Sequence, residues 1–143
     1  MNTKITKSLV AGIAATVVMT IVMTIAPMMG MPKMSPPAMM AGMMGMPIVV
    51  GWIMHFIIGI IFAASYIYLF QPNVKIASKL FKGILFGIAI FIFAQIAMAI
   101  MGAMAGGMPE PEGSMIPMII GGVMGHVIFG IVVALMAKEP KIA

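Results

Sequence analysis

The chain has no cysteine, and all eight of its basic residues are lysines, so arginine is missing as well. Without thiolates, structural disulfides, iron–sulfur clusters and thiolate zinc sites are excluded. Charge of any kind is scarce. Only 8% of the residues are charged and 63% are apolar, with a mean hydropathy of +1.21. A soluble domain carries roughly 25% charged residues, and this chain cannot cover a water-facing surface. It reads as an integral membrane protein. Phosphate loops ending in lysine, His-Glu-x-x-His and paired intramembrane carboxylates are also lacking. Ser65 has no base beside it at helical spacing, so catalysis has no support.

The charges that are present speak of orientation. Lys4, Lys7, Lys75, Lys79, Lys82, Lys138 and Lys141 lie at the chain ends or around the central connection, and only Lys33 lies elsewhere. The net charge of +5 is therefore no sign of nucleic-acid binding. It is the pattern of the positive-inside rule, which places both termini and the Gln71–Lys79 connection in the cytoplasm. Four apolar stretches reach the ~20 residues a bilayer core requires: Ser8–Met29, Ile48–Phe70, Leu80–Met104 and Met115–Ala137. They must be helices, because lipid offers no partner to open backbone groups. The Gly30–Pro47 and Ala105–Ser114 connections then face outward, the second with Glu110 and Glu112. Pro47 and Pro117 suit the first turns of the second and fourth helices, and Pro27 is a point where the first can kink. The apolar Ala38–Met46 stretch is expected as a short interfacial helix. Trp52, Tyr66 and Tyr68 sit near span ends, as aromatic belts do. Lys4 and Lys7 before an apolar run imitate a signal peptide. The run is long, however, and Thr24-Ile25-Ala26 leads into Pro27 instead of a cleavage site.

Displacing the sequence by 71 residues aligns its halves without a gap. Asn2/Asn73, Lys4/Lys75, Gly12/Gly83, Gly51/Gly122, His55/His126, Gly59/Gly130 and Ala63/Ala134 coincide. Roughly one position in four is identical overall. The expected fold is a single all-α membrane domain over residues 1–143. It is a four-transmembrane-helix bundle of two tandem parallel helical hairpins, residues 1–71 and 72–143, with N and C termini cytoplasmic. Such repeats are related by a pseudo-twofold along the membrane normal.

That axis draws attention to the two histidines. Each sits in the same frame, Gly51-x-x-x-His55-x-x-x-Gly59 and Gly122-x-x-x-His126-x-x-x-Gly130. An ionisable group at membrane depth marks a functional site by default. Residues four apart share a helix face, so these glycines clear space beside each imidazole. Thr24 and Gln95, also related by the 71-residue step, fall near the same depth. Hydroxyl and amide groups hydrogen-bond across membrane helices, and the four side chains are expected as one polar layer.

Three readings of this layer stand open. Glycines at four-residue spacing serve close helix packing, and the histidines then bind no cofactor. Two imidazoles on facing helices also suit a bis-histidine haem b, and the two frames resemble the haem-bearing helix pair of membrane cytochromes b. Without arginine, Lys33 or Trp52 would have to meet the propionates. The third reading starts from methionine, of which there are 21, nine of them between Met28 and Met46. Thioethers are soft ligands that favour Cu(I), and the pairs Met39/Met43 and Met40/Met44 share helix faces. Methionine is equally an adaptable packing residue.

The segments Ala26-Pro27-Met28-Met29-Gly30 and Gly51-Trp52-Ile53-Met54-His55-Phe56 extend the comparison. Across most of its length the chain resembles small uncharacterised four-helix bacterial membrane proteins that carry them. The resemblance implies the four-helix fold and a bacterial inner membrane, without an activity. The function expected is an intramembrane histidine pair that binds a redox cofactor or metal, haem b ahead of copper. The alternative is an accessory subunit of a larger membrane complex, or a homo-oligomer, with no cofactor of its own.

Overall fold

The computed structural model describes residues 3–104 and 114–137. Glu110, Glu112, Lys138, Lys141 and most of the Ala105–Ser114 connection lie outside them. The described elements are all helical. Helix α1 (Thr3–Ile25) tightens into a 3-10 turn over Ala26–Met29 and stops at Gly30. Short helix α2 (Pro36–Met43) follows, then α3 (Ile48–Ser65), which widens into a π turn at Tyr66–Phe70 and ends in the single turn α4 (Gln71–Asn73). Helices α5 (Lys79–Met104) and α6 (Met115–Met136) complete the chain. Four continuous helical stretches, Thr3–Met29, Ile48–Asn73, Lys79–Met104 and Met115–Met136, are long and apolar enough to cross a membrane.

Local chemistry sets the boundaries. Pro27 removes one backbone donor, and the chain turns away within three residues. Gly30 at φ 86° then donates its N–H to the Pro27 carbonyl at 3.1 Å. That left-handed conformation suits glycine. The Ser35 hydroxyl accepts from the Ala38 N–H at 3.4 Å and starts α2, with prolines in its first turn. Pro47 caps α3 from just outside, whereas Pro117 lies inside the first turn of α6.

Helices α1 and α6 form the centre, and α3 and α5 flank them. The buried face of α1 is made of small residues, Ser8, Ala11, Gly12, Ala15 and Thr16, ending in Met19 and Met23. Between helices in lipid there is no hydrophobic drive, so close approach through small residues takes its place. A methyl group added at Gly12 would meet Ile60 Cα at 2.6 Å and the Gly59 carbonyl at 3.0 Å. The same addition at Gly83 would meet Ile131 Cα at 2.7 Å and the Gly130 carbonyl at 2.8 Å. All six of these positions fall into pairs 71 residues apart. Thus α1 locks onto α3 as α5 locks onto α6.

The remaining two helix pairs differ. Helices α1 and α6 pack closely, but α3 and α5 meet mainly through aromatic rings. Tyr66 and Phe86 are edge-to-face at 5.0 Å, and Phe62 and Phe93 at 6.0 Å. This wedge holds α3 and α5 apart. A cleft of about 380 Å³ opens above it, bordered at the α2 end by Pro36, Met39 and Met40.

Candidate functional site: a cleft of imidazoles and thioethers

Along α3 the inward stripe is Gly51, His55, Gly59 and Ala63, one residue per turn. The room beside the glycines is occupied by neighbouring helices. The Pro37 carbonyl and Ala41 of α2 lie on Gly51, the Thr16 side chain on Gly59, and the backbone of Gly83 and Gly87 on Gly130. At Gly122 the Phe91 ring fills the space, 2.8 Å from where a Cβ would stand. Three of the four glycines expected to make room for a ring therefore bring helices together. Gly59 and Gly122 also line the cleft.

Both histidines line that cleft. His55 is buried and His126 half-buried. Gln95 borders the same space. Thr24 does not. It is exposed, donates its hydroxyl to the Thr20 carbonyl at 2.8 Å, and lines a separate cavity beside α2. The hydroxyl that reaches His55 belongs to Thr20, one turn earlier, 3.3 Å from Nε2. Its signal was present in the sequence: Thr16, Thr20 and Thr24 recur at four-residue spacing on one face of α1. The 71-residue step concealed it, because the counterpart of Thr20 is Phe91. That ring packs edge-on against His126 at 5.6 Å.

Hydrogen bonds fix the tautomers, an assignment made from the partners. The Thr20 hydroxyl donates its one proton to the Thr16 carbonyl at 2.7 Å. It can therefore only accept from His55, whose Nε2 carries the proton and whose Nδ1 keeps a lone pair. His126 Nδ1 lies 2.8 Å from the Gly122 carbonyl and must donate to it, leaving the lone pair on Nε2. The two neutral imidazoles are thus opposite tautomers, each with one nitrogen able to bind a cation.

The methionines enter at the same place. Seven thioethers line the cleft, from Met19, Met34, Met39, Met40, Met54, Met98 and Met101. Of the four methionines singled out by spacing, Met39 and Met40 are among them, while Met43 and Met44 border neither cavity. Histidines and thioethers, separate features in the sequence, share one space. Among the described residues, His55 and His126 are the only His, Cys, Asp or Glu side chains. Lys33 and Trp52, the substitutes for arginine at haem propionates, line the other cavity, which His55 also borders.

A family of unknown function, DUF6789, matches residues 2–140. The chain belongs to that family. Neither the curated proteins nor the solved structures contain a match. Membership agrees with the likeness to uncharacterised proteins noted in the sequence and assigns no chemistry to the cleft.

Proposed function

We propose that this integral membrane protein binds a soft monovalent cation, Cu(I), in the lateral cleft. His55 Nδ1 and His126 Nε2 are the imidazole ligands and the cleft methionines the thioether ligands. One observation carries the reading: two imidazoles, each with a free lone pair, share a cleft with seven thioethers. Soft ligands select Cu(I), whereas Ca²⁺ and Mg²⁺ require oxygen. Haem b, favoured by the histidine frames alone, is the competing ligand; Lys33 and Trp52 border the smaller cavity, which shares His55 with the cleft.

The protein consists of two tandem hairpins related by 71 residues, a reading supported by the matched glycine contacts of Gly12 and Gly83. Lysine placement orients both termini to the cytoplasm and the α2 end outward, in a bacterial inner membrane. A second reading, an accessory subunit without a cofactor, is favoured by the weak α3–α5 contact, which leaves room for a partner helix.

The test is Cu(I) titration of the purified full chain in detergent under reducing, anaerobic conditions, with a chromophoric chelator as competitor. Binding is expected, and His126→Ala should weaken it about tenfold or more, as loss of groups around a metal does. A protein that takes up no Cu(I), or a His126→Ala variant that binds as the unaltered chain does, refutes the reading. A Soret band lost in His55→Ala would put haem in its place. A colourless, metal-free protein co-purifying with larger subunits would establish the accessory role.

A further inference from the structure

The cavity beside α2 has its own soft-ligand wall. It measures about 270 Å³ and is bordered by Met19, Met23, Met34, His55, Lys33 and Trp52, among others. Met19, Met34 and His55 border the cleft as well, so they form the partition between the two spaces. Met19 and Met23 are buried. Their positions follow from glycines on α6. A methyl at Gly125 would meet Met23 Sδ at 3.1 Å and Met19 Cε at 3.3 Å, and one at Gly121 would meet Met34 Sδ at 3.0 Å. Gly121 and Gly125 therefore form a shallow trough in which the thioethers of α1 and of the connection before α2 gather.

We propose that this second cavity is a loading site for the cleft. It captures Cu(I), or its closed-shell analogue Ag(I), on the thioethers of Met19, Met23 and Met34 and passes it through His55. The destination rests on the cleft reading given above; the outer site itself does not. Three thioethers bind without neutralising charge, as a soft cation permits. Hard divalent cations require oxygen ligands, which three thioethers do not supply. His55 suits a transfer point because it borders both spaces. Binding there needs its Nδ1 lone pair and leaves the Nε2–Thr20 contact intact.

Trp52 makes the site observable. It is the only tryptophan, and its ring centroid lies 6.2 Å from that of His55. Ag(I) titrated into the full chain in detergent micelles should quench Trp52 emission, saturating with the first equivalent bound. Met23→Leu conserves volume and removes a ligand that borders only the outer cavity. It should shift that quenching to about tenfold higher Ag(I) while the cleft still fills. His126→Ala should keep the quenching and lower the total bound by one equivalent.

Unquenched Trp52, a Met23→Leu titration superimposing on that of the unaltered chain, or loss of quenching in His126→Ala overturns the outer site. Quenching that survives in His126→Ala with no change in stoichiometry leaves the outer site standing and sinks the cleft. X-ray absorption of the first-equivalent complex needs no variant. Sulfur neighbours are expected, and a shell without sulfur overturns the proposal.

Discussion

Replacing Gly12 by alanine is the sharpest perturbation the structure offers. The new methyl would lie 2.6 Å from Ile60 Cα and 3.0 Å from both Ile60 N and the Gly59 carbonyl. Carbon atoms rest at about 3.5–4.0 Å, so α1 and α3 must separate by about 1 Å. All three obstacles are backbone, and no side-chain rotation relieves them. Overpacking of this kind costs about 1–3 kcal/mol, against a helix-propensity gain of about 1 kcal/mol for alanine over glycine. Because every obstacle is backbone, the cost falls in the upper half of that range, about 2–3 kcal/mol, and a net loss of about 1–2 kcal/mol is expected. Gly83→Ala should cost the same, because its methyl meets Ile131 Cα at 2.7 Å and the Gly130 carbonyl at 2.8 Å. Gly42→Ala is the control: nothing lies within 4 Å, so stability should stay level or rise. Unfolding in increasing SDS, followed by circular dichroism, measures all three. If either Gly12→Ala or Gly83→Ala matches the unaltered chain, the account of matched hairpin locks is wrong. An equal loss in Gly42→Ala would show that the effect belongs to glycine replacement in general.

Two further outcomes follow from the same geometry. Thr20→Val removes the acceptor for His55 Nε2 and should cost about 0.6 kcal/mol, the usual worth of a hydrogen bond between membrane helices. Nitrogen NMR of the imidazoles should show a change at His55 and none at His126, and an unmoved His55 spectrum would refute the contact. Gly30→Ala introduces a side chain at φ 86° where no atom lies within 4 Å. Its cost of about 1–2 kcal/mol is conformational, and SDS unfolding showing no loss would contradict the left-handed turn.

Much of the architecture is legible in the residues. Four apolar runs bounded by lysine, proline and glycine match the helices to within a turn at most ends, since span length and backbone satisfaction leave few alternatives. The break after Pro27 and the short helix near Ala38–Met46 are legible for similar reasons of local chemistry. The site is less so. His55 and His126 are recognisable because histidine is rare in such sequences, but their partners are not. The 71-residue step points to Thr24 and not to Thr20 because it selects matching positions, while hydrogen bonds select matching distances. Gln95 could be placed beside the histidines by depth alone, but Thr24, at the same depth, turns to another cavity.

Composition and spacing thus determined by themselves that this is a helical membrane protein with two rare imidazoles in glycine frames. They also determined that thiolate chemistry is impossible in it. Tertiary structure decided that α1 and α6 close while α3 and α5 stay apart. It decided too that the resulting cleft collects thioethers from α1, α2, α3 and α5 around both histidines. The reason is rotational. When every face of a helix is apolar, periodicity carries no information about which face turns inward. Only the fit of small residues against neighbouring backbone, and of large rings against one another, sets that angle.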